Sequence, residues 1–368
     1  MEKMFRKELE KVRPYVQGKP IEKVAKEYGL KRIEKLASNE NHFGISTRVE
    51  NAIIKEIKNI HLYPDGSSIN VKKEIEKNYK IKPENIVLGT GGEQLIFLLS
   101  MAVLNKGENI IMSKPSFDLY KMTANIMGAK AKEVSYKKNG QINVKGILDK
   151  VNKKTKIIYI ASPNNPTGAI ASEKEIKEII KNIPEKTILF LDEAYFEFAT
   201  VFKEYSHKTK EKLRWKKNIC ILRTFSKIYS IAGLRIGYIF TNKEIAKKLE
   251  AINLTFGKNR LAESAAIAAL KDKQHLEKIK KENKKMLEKL EKYFDKKNMK
   301  YIKPYGNFIW VDIKRDSKKI FEELQKKGVI IRPGFLWGYD TYLRISTGTK
   351  EQINTFTKKF DEILEMEK

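Results

Sequence analysis

The chain has 368 residues, 41% hydrophobic and 33% charged, with 17 Phe and 16 Tyr, which is enough apolar material for a core; its length excludes one small core and fits a large domain plus a smaller one, or two comparable domains. The net charge of +29 (75 Lys and Arg against 46 Asp and Glu) invites a nucleic-acid reading, but the lysines are interleaved with glutamates along helical stretches such as Glu277 to Lys297, the pattern of solvated helix faces. A single cysteine, Cys220, excludes an intrachain disulfide, the four histidines show no metal-ligand spacing, and the longest apolar stretch, Leu95 to Leu104, is too short to span a bilayer. The first residues are charged from Glu2 onward, so no cleavable leader is expected, and a cytoplasmic location follows.

In chain order, seven short β-branched, apolar runs predict buried parallel strands: Ile86 to Leu88, Asn109 to Met112, Ala131 to Tyr136, Lys156 to Ala161, Thr187 to Asp192, Ile219 to Thr224 and Arg235 to Thr241. Helical spacing over Gly92 to Leu104, Ser116 to Met127, Ser172 to Asn182 and Lys243 to Ala251 alternates with several of them, which predicts an α/β sheet. Beyond about residue 255 the pattern changes to a long charged helix, Lys271 to Lys297. Short strands near Phe308 to Ile313, Val329 to Arg332 and Tyr342 to Ser346 follow, with an amphipathic helix from Lys350 to Glu365. The expected division is an N-terminal arm and small-domain segment (1–35), a large domain (36–254) and a smaller α+β domain (255–368).

Ligands bind in open α/β sheets beyond the carboxyl ends of the strands, and four polar segments obey that rule. Gly89-Thr-Gly-Gly92 follows the first predicted strand, Asn165 in Ser162-Pro-Asn-Asn-Pro-Thr-Gly168 follows the fourth, Asp192 ends the fifth, and Ser226 with Lys227 follows the sixth. A dinucleotide fingerprint would need glycine where Gln94 stands, so the turn suits a phosphate held by the bare amides of Gly91 and Gly92 at a helix start. Lys227 lies in Thr224-Phe-Ser-Lys-Ile-Tyr229 ahead of Gly233-Leu-Arg-Ile-Gly237, where burial and the nearby Arg235 favour a neutral, nucleophilic amine. Asp192 can hold a protonated pyridine nitrogen, Tyr195 and Asn165 can hydrogen-bond a phenolic oxygen, and Phe117 can stack on the ring. Together these residues read as a pyridoxal phosphate site.

Nearly the whole chain resembles the fold type I pyridoxal phosphate-dependent aminotransferases and, within them, the histidinol-phosphate aminotransferases. The resemblance is carried by Pro14-Tyr-Val-Gln-Gly-Lys-Pro20, Lys35-Leu-Ala-Ser-Asn-Glu-Asn41, Tyr63-Pro-Asp65, the segments around Asn165, Asp192 and Lys227, Gly306-Asn-Phe308, Ile331-Arg-Pro-Gly334 and Leu343-Arg-Ile-Ser-Thr-Gly348. It implies a seven-stranded mostly parallel sheet in a large domain plus a smaller α+β domain, and transfer of an amino group between histidinol phosphate and 2-oxoglutarate in histidine biosynthesis. Lys227 would attach the cofactor covalently and move the substrate proton, assisted by Asp192 and Tyr195. Thr224, Ser226 and Arg235 would join Gly91 and Gly92 around the cofactor phosphate, with Tyr63 reaching it from a neighbouring subunit, so a homodimer is implied. Arg344 would bind the glutamate carboxylate, Arg332 and Tyr15 the phosphate of histidinol phosphate, and Asn41 and Asn165 would complete the substrate contacts.

Two stretches depart from the family pattern: His42 stands where proline usually follows Asn-Glu-Asn, and Leu254-Thr-Phe-Gly-Lys-Asn259 replaces Pro-Phe-Asn-Val-Asn. Both are expected near the substrate. An aromatic amino acid aminotransferase and a threonine-phosphate decarboxylase would share the same cofactor residues and stay open as alternatives. A nucleic-acid binder would need a clustered basic face or an appended helix-turn-helix, and neither is apparent in the sequence.

Overall fold

The structure, a computed structural model, describes residues 4–12, 18–137, 139–206 and 208–366. A short strand near the N-terminus, β1 (Glu34–Lys35), is followed by the seven strands of the large sheet. These are β2 (Ile86–Gly89), β3 (Asn109–Lys114), β4 (Lys130–Ser135), β5 (Thr155–Ala161), β6 (Ile188–Asp192), β7 (Ile219–Thr224) and β8 (Gly237–Thr241), in spatial order β2-β8-β7-β6-β5-β3-β4. Their apolar side chains are buried on both faces, in two separate layers of core: Ile158, Leu189 and Ile221 on one, Ile157, Phe190 and Leu222 on the other. Helices cover both layers, which is why these strands carry no polar alternation.

Two expectations about the sheet are corrected. Strand β8 runs antiparallel to β7 and β2. The connection from β7 holds only a 3₁₀ turn, Ala232–Leu234, and lacks the crossover helix that a parallel return ordinarily uses. Strand β4 is an edge strand, with Lys130 and Ser135 exposed and only Val134 buried.

The helix expected from Ser116 begins later, at Leu119–Ile126, leaving Ser116 and Phe117 in the loop that follows β3. A helix not expected from the sequence, Arg260–Lys271, precedes the long charged helix, which runs over Lys273–Lys296, close to its expected bounds, and starts where the Asp272 carboxylate accepts the His275 amide at 3.1 Å. The first packs on helices Thr47–Ile57 and Ile69–Tyr79. Its alanines 262, 265 and 266, with Leu276 and Ile279 beyond, share the core of the large sheet, although the expected division assigns them to the smaller unit.

Strands β9 (Lys300–Ile302), β10 (Phe308–Asp312), β12 (Arg332–Pro333) and β13 (Tyr342–Ser346) form an antiparallel sheet in the order β12-β13-β10-β9, while β11 (Val329–Ile330) pairs in parallel with β1. Leu290 and Phe294 of the long helix pack with Ile309, Val311, Leu343, Phe356 and Phe360 over this sheet, leaving the Lys and Glu side chains on the opposite face. The β1–β11 pairing ties the segment before Asn39 to the C-terminal unit and so brings it over the edge of the large sheet. Among the described residues, no helix is long and apolar enough to cross a membrane, and no cluster of His, Cys, Asp and Glu could hold a metal ion. Cys220 is buried and free, its thiol pushed up to about 12 by desolvation.

Candidate active site

A cleft of about 540 Å³ opens beyond the carboxyl ends of β5, β6 and β7 and is roofed by the segment from Gly18 to Asn39 and by β12 and β13. Its walls carry five cations (Lys35, Lys227, Arg235, Arg332, Arg344) against three carboxylates (Glu22, Glu93, Asp192), so the cavity favours an anionic occupant.

Lys227 sits in the loop leaving β7, pinned by the fully buried Phe225 and Ile228 on either side. Its Nζ donates to the Ser38 carbonyl at 3.1 Å and lies 5.7 Å from the centroid of the Tyr195 ring. Desolvation, reinforced by the positive charges of Arg344 and Arg235, pulls this amine down to about 8. Asp192 ends β6 and is buried; Oδ2 accepts the Tyr120 hydroxyl at 2.5 Å and Oδ1 the Ala194 amide at 3.0 Å. Burial raises its pKa, and those two donors oppose the rise.

One wall of the cleft is built from the turn after β2. Gly91 has φ of 76° and opens the helix Gly91–Val103 without a side-chain cap, which leaves first-turn amides for an anion. A Cβ at Gly91 would lie 2.7 Å from Arg235 Nη2, so only glycine lets the guanidinium lie across this turn. Arg235 donates to Ser226 Oγ at 3.4 Å and to the Ala232 carbonyl at 3.0 Å, and it meets Glu93 Oε2 at 3.4 Å. Thr224 Oγ1 accepts the Ser226 amide at 3.0 Å, placing two hydroxyls beside Arg235 and Gly92.

Across the cleft, the register of β12 and β13 sets Arg332 directly opposite Arg344, both buried. Like charges at facing positions of an antiparallel pair repel, and burial makes that repulsion costly. The Trp337 ring lies 5.9 Å from the Arg332 guanidinium and 5.5 Å from that of Arg344, within cation–π range of each. Arg344 also donates to Asn165 Oδ1 and to the Ala37 carbonyl. The oxygen of Asn165 is thereby engaged, and its amide N–H groups are the donors it offers the cleft.

The structure therefore brings Lys227, Asp192, Tyr195, Gly92, Phe117, Asn165, Thr224, Ser226, Arg235, Arg332 and Arg344 to one cavity, with Gly91 immediately behind Arg235. It does not bring Asn41 there. The Asn41 amide donates to the Ile228 carbonyl at 2.8 Å and its oxygen accepts the Phe43 amide at 3.0 Å, so the side chain is spent on shaping the loop. Asn39 lines the cleft instead. It is buried at φ 52°, a left-handed conformation that asparagine tolerates, and donates to the Tyr195 hydroxyl at 2.9 Å while its own oxygen accepts from Ser346 at 2.7 Å.

Tyr63 is 78% exposed, stacks on Phe256 at 4.7 Å, and is absent from the walls of this cleft. The departures from the family pattern are not in these walls either. His42 is set behind the loop with its pKa lowered by burial, and Thr255 packs on Gly66, so residues 255 and 256 support the Tyr63 loop. Tyr15 lies outside the described residues.

Among the cleft residues not expected from the sequence, Tyr120 and Asn39 bond directly to expected ones, Asp192 and Tyr195. Tyr120 follows Phe117 by three positions, the spacing of one helical turn, and that was its only signal. Asn39 shares its residue type and its motif with Asn41, so residue type alone could not choose between them.

The set fits pyridoxal phosphate: an anion cradle that a Cβ at Gly91 would fill, a buried carboxylate at the far end, and a desolvated lysine between them in a cavity of about 540 Å³. The comparisons with known proteins agree. Residues 31–360 match the model of the family described as aminotransferase class I and II. A chain named histidinol-phosphate aminotransferase 2, from Carboxydothermus hydrogenoformans, is 38% identical over 99% of this chain and 100% of its own length. A histidinol-phosphate aminotransferase from Caldicellulosiruptor saccharolyticus is 39% identical over 98% of this chain and 100% of its own. Among solved structures, histidinol-phosphate aminotransferase from Sinorhizobium meliloti, in complex with pyridoxal-5'-phosphate, superposes with a TM-score of 0.91 at 25% identity, covering 99% of this chain and 98% of that one. With a family model spanning the large sheet and the C-terminal unit, and full-length relatives well above 30% identity, the chain belongs to the class I and II aminotransferases.

Proposed function

We propose that this chain is a pyridoxal phosphate-dependent histidinol-phosphate aminotransferase, exchanging an amino group between L-histidinol phosphate and 2-oxoglutarate to give imidazole-acetol phosphate and glutamate in histidine biosynthesis. Full-length relatives bearing that name support the reading. The observation that carries it is the buried, facing pair Arg332 and Arg344 in the cleft wall that also holds Lys227.

Gly91, Gly92, Thr224, Ser226 and Arg235 hold the cofactor phosphate, Asp192 the ring nitrogen, Asn165 and Tyr195 the phenolic oxygen, and Phe117 one ring face. When bound, the cofactor supplies an electron sink for the pair left behind when the substrate α-carbon gives up its proton. Lys227 takes that proton. An amine at about 8 is neutral in about a tenth of molecules at neutral pH, far more often than an ordinary lysine. Arg344 orients the carboxylate of glutamate, and Arg332 the phosphate of histidinol phosphate; a planar fork of N–H donors matches either anion. The roof formed by residues 18–39 excludes bulk water from the amine, which strengthens each of these charge interactions. We place the division between the two units within the helix Lys273–Lys296, whose first turns pack with the large sheet and whose last turns pack with the smaller one.

Mixing the cofactor-loaded protein in a single turnover with histidinol phosphate or glutamate is expected to convert the cofactor to its amine form. Arg332→Ala is expected to raise KM for histidinol phosphate by roughly 10²-fold, the worth of a buried charge-assisted pair, and to change that for glutamate far less. Conversion by phenylalanine alone would turn the reading into an aromatic aminotransferase, and carbon dioxide release from threonine phosphate would turn it into a decarboxylase.

The assembly is a homodimer in this reading. Ile54, Ile57, Ile60, Leu62, Tyr63, Leu254 and Phe256 are exposed on the helix Thr47–Ile57, the turn beyond it and the loop at 252–256, an apolar surface that a second copy would cover. Tyr63, remote from its own cleft, then reaches the cofactor phosphate of the partner. Sedimentation equilibrium is expected to give twice the 42.7 kDa chain mass, and a monomer at micromolar concentration would remove this assignment. A cytoplasmic location accords with the one buried, unpaired cysteine.

A further inference from the structure

We propose that Tyr120 is a positioning residue whose hydroxyl holds Asp192 as the carboxylate and so keeps the shared proton on the cofactor ring nitrogen; the inference rests on the cofactor assignment above. Tyr120 is fully buried, and its hydroxyl stands 2.5 Å from Asp192 Oδ2, the short separation of an O–H donor on a charged oxygen.

The phenol cannot swing away. Its ring stacks on Tyr159 of β5 with centroids 4.3 Å apart and planes 9° from parallel, and meets Phe117 edge-on at 5.7 Å. Behind it, Tyr159 OH and Ser100 Oγ lie 3.3 Å apart, Ser100 donates to Thr123 Oγ1 at 3.0 Å, and Thr123 donates to the Tyr120 carbonyl at 3.1 Å. Ring and backbone are thus fixed independently, and the hydroxyl reaches Asp192 already oriented.

A buried aspartate with no such donor tends to take up a proton, and a neutral acid beside a pyridine nitrogen leaves that nitrogen unprotonated. Here one donor serves each oxygen, Tyr120 on Oδ2 and the Ala194 amide on Oδ1. Each oxygen keeps a lone pair for a third partner. The other charged groups around Asp192 do not substitute for Tyr120. Glu193 works in the opposite sense and is itself paired with Lys212 and Arg223, while Lys227 favours the carboxylate only through space, its amine donating to the Ser38 carbonyl.

Tyr120→Phe keeps both ring contacts and removes only the donor. The test compares wild type, Tyr120→Phe, Asp192→Asn and the double variant, measuring the dissociation constant of pyridoxal phosphate and, with ¹⁵N-labelled cofactor, the nitrogen resonance of the bound ring. Tyr120→Phe is expected to weaken binding about tenfold or more and to move the resonance toward the unprotonated position. In the Asp192→Asn background the same change is expected to have little further effect, because the hydroxyl acts through that carboxylate. Equal losses in both backgrounds would mean a purely structural hydroxyl and overturn the proposal, as would an unchanged resonance in Tyr120→Phe. If that variant does not fold, 3-fluorotyrosine placed at position 120 gives a more acidic donor and must tighten cofactor binding; unchanged affinity overturns the proposal. Wild-type protein that does not bind pyridoxal phosphate overturns the cofactor assignment along with it, whereas normal wild-type binding with an indifferent Tyr120→Phe overturns this inference alone.

Discussion

Lys227→Ala is expected to abolish turnover, by about 10⁴-fold or more, while leaving the fold intact. In the proposed function one side chain supplies both the amine that bonds to the cofactor and the base that moves the substrate proton, and general base catalysis alone is worth about 10²–10⁴-fold. The fold should survive because Phe225 and Ile228, not Lys227, anchor the loop to the core. Circular dichroism would check the fold and steady-state assay the loss; turnover at the wild-type rate would remove Lys227 from the mechanism. The same residue gives a pH signature. Its amine titrates at about 8 in the folded protein against an ordinary 10.5, so the unfolded chain binds more protons between those values. The stability of the cofactor-free protein owed to this group therefore rises with pH across that window, the reverse of a lysine that gains a partner on folding. Lys227→Met should lack the increment in denaturant titrations at several pH values.

Asp192→Asn is expected to lower kcat by roughly 10²–10³-fold, the cost of removing one preorganised charge that stabilises a transition state. The amide keeps the size of the carboxylate but cannot hold a proton on the ring nitrogen, so the electron sink weakens while Lys227 can still attach the cofactor. Absorbance spectra should show the cofactor bound at the wild-type lysine. Unchanged kcat with normal cofactor loading would exclude Asp192 from that role. Because Asp192 lies at the carboxyl end of β6 and is already buried, its chemistry is felt through the cofactor with no competing contact to solvent.

The strand runs were legible because fully buried strands need uninterrupted apolar residues, and β7 and β13 begin and end where the pattern placed them. The direction of β8 was not, since a strand reads alike in either sense; the short turn at 232–234 decides it. The long charged helix was legible to within two residues of each end, and the Asp272 carboxylate that caps it sits beside its expected start.

The cofactor edge of the site was determined by the sequence itself: Gly91 and Gly92, Asn165, Asp192, Thr224, Ser226 and Lys227 each stand within a few residues of a strand end, so local connectivity alone delivers them to one rim. Only the tertiary structure decided what faces them. Tyr120 meets Asp192 across 72 residues of chain, Asn39 meets Tyr195 across 156, and Arg332 faces Arg344 through strand register. Such contacts arise from the packing of distant elements, which hydrophobic periodicity does not encode, and that is why the sequence pointed to Asn41 without Asn39 and left out the Tyr120 hydroxyl that meets Asp192.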